Sequence, residues 1–308
     1  MPDLILHHYP MSTFSEKVRL ALGLKGLAYR QVIVPVISPK PDQTALTGGY
    51  RRAPVLQIGA DIYCDSQLIL RKLEELQPMP SLFPDGCQGQ AEALAWWAER
   101  QVFMPALGFI AKVNAPIYPD DLVAERNVFG YTFGAAAEPV FQRNVQQFNA
   151  HCAILKSMLA DGRPFLLGSL PSAADIAAYP ALWFLRKWGG PQNERWLAID
   201  TLFPWMQRIA VIGHGVPTDI TGSEAIAHAA NAVPDPRNLP KGADSSGIGM
   251  GSRVTVTADD VGRDPVAGIL MAANDLSLVI SRTTPRVGTV HVHFPRAGYD
   301  VLLHDMTK

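Results

Sequence analysis

Two short stretches carry residue types suited to holding an anion. The segment Pro10-Met11-Ser12-Thr13-Phe14-Ser15 supplies hydroxyls at Ser12, Thr13 and Ser15, directly ahead of a helical pattern carried by Val18 and Leu22. A helix start offers unpaired N–H groups and the positive end of the helix dipole, so a hydroxyl there can join in stabilising negative charge. The second stretch is Asp65-Ser66, after which Ile69, Leu73 and Leu76 recur at helical spacing until Pro78 stops the run. Asp65 or Ser66 is the expected N-cap, and a small hydroxyl beside a helix start is a natural seat for a carboxylate. The plain alternative is that all of these side chains only cap helices, and the residues alone leave it open.

The elements that position these residues follow from local patterns. Leu4-Ile5-Leu6 reads as a short strand broken by Tyr9-Pro10, and the next helix has Thr13 as expected N-cap with Glu16 completing a capping box. Lys17 and Arg19 read as solvated face residues. Tyr29 to Val36 is the next strand, ending in a loop rich in Pro and Gly. Arg51-Arg52-Ala53-Pro54 leads into two apolar runs, Val55–Ile58 and Ile62–Cys64, around the turn Gly59-Ala60-Asp61, a hairpin. Cys64 reads as a small buried filler. The order strand, helix, strand, loop, strand, strand, helix fits an α/β thioredoxin-like sheet over residues 1–77.

Pro54 ahead of a strand, a tight turn, a second strand and an acid–Ser pair opening a helix resemble the glutathione-binding domain of cytosolic glutathione transferases. The resemblance implies that Pro54 is cis, that Ala53 offers its backbone to the cysteinyl part of glutathione, and that Asp65 and Ser66 hold the γ-glutamyl group. The family usually has Glu before that Ser, so Asp65 is a shorter version of the same acid. A free thiol has a pKa near ~8.5, and a hydroxyl donor at a helix start favours its thiolate. Aligned with serine-type transferases, Ser12 falls on the catalytic position, with Tyr9, Thr13 and Ser15 as alternative hydroxyls and His8 near the place where tyrosine-type relatives carry theirs. Phe14 falls where cysteine-bearing relatives have their Cys, which disfavours disulfide exchange.

Pro78 to Gly89 is dense in Pro and Gly and reads as a linker to an all-helical domain over 88–215. Helical patterns run over residues 90–113, with a kink expected at Pro105, and over Ala136–Leu159. Ser172-Ala173-Ala174-Asp175 reads as a capping box before the apolar stripe Ile176, Tyr179, Leu182 and Trp183, and matches a structural motif of the same family. Trp96, Arg100 and Phe103 are the candidates for an electrophile site, against the alternative that this aromatic stripe is helix-packing core.

Residues 216–250 read as a linker in which EAIAHAA forms a helical turn or two. Over 251–308 the period becomes two, and strands near Arg253, Ile269, Leu276, Thr289 and Tyr299 suggest a small antiparallel β-barrel-like domain that the resemblance does not cover. His291 and His293 share one strand face and His304 follows, but with no expected acid or Cys nearby they read as an exposed polar face, and no metal is expected.

The chain has 308 residues, a formal net charge of −1 and three cysteines without paired spacing. These values give no reason to expect nucleic acid as a partner, a disulfide framework or a zinc site, and they favour a reducing cytoplasm. No apolar run approaches a membrane span, and the N-terminus does not read as a signal peptide. The resemblance implies a homodimeric detoxification enzyme that uses glutathione as co-substrate and activates its thiol for attack on an apolar small-molecule electrophile. A glutathione-dependent peroxidase and a non-catalytic docking module using the C-terminal β domain are the alternatives.

Overall fold

The computed structural model describes residues 2–190 and 195–304, which form two compact units. The first takes Met1–Ser15, Ala28–Lys72 and Val216–Lys308; the second takes Glu16–Leu27 and Leu73–Gly215. The units differ from the expected domains in that Glu16–Leu27 and the segment from Leu73 fall in the second unit and the chain after Gly215 returns to the first. Positions 1, 191–194 and 305–308 of the expected domains lie outside the described residues.

The first half of the α/β unit runs β1 (Ile5–His8), α1 (Thr13–Leu24), β2 (Ala28–Ile33), α2 (Pro41–Thr47), β3 (Val55–Ile58), β4 (Asp61–Cys64) and α3 (Ser66–Leu76). This is the thioredoxin-like order expected, with α2 added where the sequence read as loop. Pro41 stands in its first turn and Gly48 ends it in the left-handed region at φ 83°. Pro and Gly here are helix start and stop signals, too close together to show a helical period. The Ala53–Pro54 bond is cis.

Among the described residues, α-helices and strands are numbered in chain order. α4 (Gln88–Trp97), α5 (Phe103–Val113), α6 (Asp120–Phe129), α7 (Phe141–Met158), α8 (Ala173–Trp188) and α9 (Phe203–Ala210) belong to the second unit. β5 (Val216–Asp219), α10 (Gly222–Ala230), β6 (Arg253–Ala258), β7 (Val266–Ala273), β8 (Ser277–Thr284), β9 (Gly288–Pro295) and β10 (Tyr299–Leu303) return to the first.

All five strands expected after residue 251 are present, but they do not make a separate barrel. They continue the thioredoxin-like sheet into one open sheet of order β10-β6-β7-β8-β9-β4-β3-β1-β2-β5. β9 pairs in parallel with β4, Tyr63 facing His293 and Asp61 facing His291, so the edge that would close a barrel is used to extend the sheet. The extension and the thioredoxin-like half share a buried cluster. Val254, Leu270, Ile280 and Phe294 of the extension pack in the same buried cluster as Leu46, Val55 and Ile62.

The expected linker also joins this unit. β5 pairs in parallel with β2, and α10 opens on a capping box in which Thr221 N–H donates to Glu224 Oε2 at 2.7 Å and Glu224 N–H to Thr221 Oγ1 at 3.2 Å. The histidine face is likewise not exposed. His291 and His293 are buried, and His293 Nε2 donates to Asp61 Oδ1 at 2.7 Å, an acid invisible from local sequence. His304 bonds Thr255 instead, at 2.8 Å. Among the described residues no group of three His, Cys, Asp or Glu is placed to hold a metal ion.

The second unit is helical. Its long run from Gln88 to Val113 contains a π turn at Ala98–Val102 just before Pro105. Proline supplies no N–H to the carbonyl four residues earlier, so the widened turn falls where the kink was expected. Helix α7 starts at Phe141, after a separate turn at Gly134–Ala137. The Ser172–Asp175 box is present and Asp175 is fully buried. Its carboxylate accepts from Ser172 N–H (3.0 Å), Ser172 Oγ (2.8 Å), Leu166 N–H (2.8 Å) and Trp205 Nε1 (2.9 Å). Burial nonetheless dominates these four donors and raises the Asp175 carboxyl above its ordinary value. Lys17 and Arg19 are buried rather than solvated. Lys17 pairs with Glu99 at 2.5 Å, and Arg19 with Glu16 at 2.5 Å. Burial would raise the Glu16 carboxyl, but hydrogen bonds with His214 and Arg19 outweigh it and hold it below the usual range.

Candidate functional site

The sheet register gathers the candidate residues of the first unit. β1 and β3 are antiparallel with His7 facing Val55, and β3 and β4 are antiparallel with Val55 facing Cys64. The exit of β1, the entry of β3 and the exit of β4 therefore meet at one end of the sheet. Tyr9 to Ser15 leaves the first, Ala53-Pro54 feeds the second, and Asp65-Ser66 leaves the third.

At the exit of β1 the helix cap is Ser12, not Thr13. Ser15 N–H donates to Ser12 Oγ at 3.1 Å, and Ser12 N–H donates to the Tyr9 carbonyl at 3.1 Å. The cap bond uses a lone pair of the hydroxyl and not its proton, which remains a donor for an anion seated at the helix start. Ser15 is fully buried, and its Oγ has no hydrogen-bond partner among the described residues. Thr13 is also buried. The Tyr9 ring lies under Lys40, whose Nζ is 5.4 Å from its centroid. His8 is committed to structure: its Nε2 meets Gln31 Oε1 at 2.9 Å, and Gln31 in turn donates to Asp219 at 2.7 Å.

The loop before Ala53 is pinned through its carbonyls. Gln43 Nε2 donates to Tyr50 O at 2.9 Å and Arg52 O at 2.7 Å, and Lys40 Nζ donates to Arg51 O at 2.9 Å. Both donors come from α2 and the residue that caps it, the helix missed in the sequence. The β6–β7 loop holds the same segment from outside, with Arg51 paired to Asp264 at 2.7 Å and Arg52 paired to Asp260.

At the exit of β4, Asp65 has φ 79°, the left-handed region that Asp tolerates better than most residues. That turn brings its side chain over the helix it precedes, and Oδ1 accepts from Gln67 N–H at 2.8 Å. Oδ2 accepts from the Tyr299 hydroxyl at 3.1 Å. Ser66 opens α3 and is buried. Cys64 is fully buried, and burial and the neighbouring Asp65 push its thiol well up, so it is a filler and not a nucleophile. Tyr299 reaches this acid from outside the motif with Tyr50 bonded behind it at 3.0 Å, and nothing local marks either for that role. A tyrosine alternating along a late strand shows a face but not what that face meets.

Trp96, Arg100 and Phe103 lie in the second unit. The Arg100 guanidinium stacks over the Trp96 ring at 4.2 Å, and Phe103 is buried edge-on to Tyr131 at 6.3 Å. Phe103 is thus packed as core, whereas Trp96 and Arg100 are half-buried and form a cation–π pair.

An acid, a helix start with a hydroxyl and a pinned backbone segment, with a second hydroxyl-capped helix start beside them, suit a peptide-like ligand with an amino-acid head and an anionic side chain. Residues 6–81 match the family profile of the glutathione S-transferase N-terminal domain, and residues 138–208 that of the C-terminal domain. A crystal structure of a GST-like protein from Pseudomonas syringae is 36% identical with a TM-score of 0.80, over 99% of this chain and 100% of that one. Maleylacetoacetate isomerase of Pseudomonas aeruginosa is 27% identical over 69% of this chain and 92% of that protein. FtsZ-localized protein A of Caulobacter vibrioides is 26% identical over 56% of this chain and 73% of that protein.

Proposed function

Because the chain belongs to the glutathione S-transferase family, we propose that it is a glutathione-dependent enzyme that activates the thiol for attack on an apolar electrophile. In this reading the tripeptide lies across the three strand ends, with its cysteinyl part on the backbone at Ala53-Pro54 and its γ-glutamyl group on Asp65 and Ser66. Ser12 donates to the sulfur, and the α1 dipole lowers the cost of the thiolate. Catalysis is then thiol activation plus proximity. Of the three candidates, Trp96 and Arg100 are the residues proposed for the electrophile, since Phe103 is buried edge-on to Tyr131. The observation that carries the reading is the register that brings Ser12, Ala53-Pro54 and Asp65-Ser66 to one end of one sheet.

The name of the Pseudomonas aeruginosa relative makes maleylacetoacetate the first substrate to try. A titration calorimeter measures glutathione binding directly, and a turnover assay with maleylacetoacetate and with a model aryl halide follows. Heat of binding with no turnover of either, or of an organic hydroperoxide, would leave binding without catalysis. No heat and no retention on glutathione resin would favour the second reading, a docking module. That reading has its own support in the added strands and in the likeness to FtsZ-localized protein A. A homodimer in a reducing cytoplasm with a detoxifying role completes the proposal. The dimer and the role draw on the family and the compartment on three free cysteines; among the described residues no helix is long and apolar enough to cross a membrane.

A further inference from the structure

The contact between Asp65 and Tyr299 joins the expected ligand seat to the part of the chain that the two family profiles leave unmatched. Register explains how it arises. β9 lies parallel to β4 with His293 beside Tyr63, so the turn after β9 arrives next to the turn after β4. Gly298, at φ 86°, closes that turn, and Tyr299 opens β10. Its ring is wedged against Phe294 at 5.5 Å and Tyr50 at 6.4 Å, and Phe294 meets Tyr50 edge-on at 5.9 Å. The hydroxyl is therefore carried on a buried, three-ring support.

The hydrogen bonds run in one sense. Tyr50 and Tyr299 hydroxyls are 3.0 Å apart. Burial first, and then the charge of Asp65, push both phenols well above their ordinary values, so both keep their protons. A carboxylate can only accept, so Tyr299 donates to Asp65 Oδ2, and Tyr50 must donate to Tyr299. Arg52 is spent on Asp260 and on the Val261 carbonyl. Asp65 thus has Oδ1 fixed by the helix and Oδ2 fixed by the extension, and each carboxylate oxygen keeps a further lone pair for a ligand.

Resting on the glutathione reading above, we propose that Tyr299 is a positioning residue for the α-ammonium group of the γ-glutamyl end, acting through Asp65. The extension then serves recognition by holding the shorter acid of this chain at one orientation. A bare Asp at a left-handed backbone would otherwise share its carboxylate between the helix cap and solvent.

The test compares two ligands on full-length protein by calorimetry: glutathione and glutaryl-cysteinylglycine, which is the same tripeptide without the amino group. Tyr299→Phe removes one oxygen and is expected to weaken glutathione binding about tenfold, the scale of a hydrogen bond to a charged group. Its affinity for the des-amino ligand should stay within about twofold of wild type, even though the melting temperature falls because the buried Tyr50 hydroxyl loses its acceptor. Equal losses for both ligands would mean a structural role, and no loss for either would mean no role; both overturn the proposal. Should Tyr299→Phe not fold, Tyr50→Phe frees the Tyr299 hydroxyl from its donor and must shift the same ratio, and an unshifted ratio also overturns it. Wild-type protein that binds neither ligand would remove the glutathione reading itself, and this role with it.

Discussion

Asp61 on β4 accepts a 2.7 Å hydrogen bond from His293 on β9, 232 positions further along the chain. The same carboxylate accepts from Asp235 N–H at 2.9 Å and Asn238 Nδ2 at 3.0 Å, so one side chain ties β4 to β9 and to the segment between α10 and β6. Burial would raise the Asp61 carboxyl, but the His293 bond and these other donors outweigh it and hold it below its usual value. Asp61→Ala leaves several buried donors without an acceptor and is expected to cost about 3 kcal/mol, with Asp61→Asn costing less. Urea denaturation of the two variants measures this. Because the folded carboxyl is the more acidic, its contribution is present above the ordinary range and is lost as pH falls through and below it.

Ser12 has a structural job as well as the proposed chemical one. Ser12→Ala should lower stability by about 1 kcal/mol through the lost cap, and should lower turnover while leaving glutathione binding in place. Ser12→Asp separates the two effects. It restores the cap and adds a negative charge where the thiolate would sit, so stability should recover and turnover should not. Recovered turnover in Ser12→Asp would take the hydroxyl out of the mechanism.

His7 offers a pH-dependence with a definite sign. It is fully buried, and Gln57 gives its amide N–H groups to the Ala225 and Gly59 carbonyls, so Gln57 Oε1 must accept from His7 Nε2 at 2.9 Å. Nε2 of His7 therefore carries a proton, and burial with no partner at Nδ1 disfavours a second one. Burial first lowers its pKa to about 4 from 6.5. The stabilisation is complete above pH 6.5 and disappears as pH falls towards 4, a loss of about 3 kcal/mol. A His7→Gln variant should lack that part of the pH profile of thermal melting.

In the second unit Asp175 receives four hydrogen bonds in full burial. Asp175→Ala should cost about 3 to 5 kcal/mol and show as poor soluble yield. Trp205→Phe removes the single indole bond and should cost about 1 to 3 kcal/mol, read from the melting temperature.

What was legible in the sequence is what local chemistry decides. The hairpin and helix over residues 55–76 announce themselves through Gly59, Asp65 and the spacing of Ile69, Leu73 and Leu76, and the Ser172–Asp175 box through its own four residues. Five late strands were readable from their period of two. Their destination was not, since period two is the same for a barrel strand and for one that extends another sheet. Helices α2 and α6 are seven and ten residues long, too short to build a period against Pro and Gly or against acidic neighbours. Lys17 looked solvated because its partner, Glu99, lies 82 positions away. Tyr299 was unreadable as part of the site for the same reason: its meaning is a pairing distance, not a motif.

The parallel seam between β4 and β9 also sets an order of events during synthesis. β4 leaves the ribosome early, its outer hydrogen-bonding edge bare, while Leu73–Gly215 of the helical unit is made. Only when β9 has emerged can that edge be sealed, and only when β10 follows can Tyr299 reach Asp65. A nascent chain halted short of β9 would carry an unpaired strand edge, and one halted short of β10 would leave Asp65 without its donor from Tyr299.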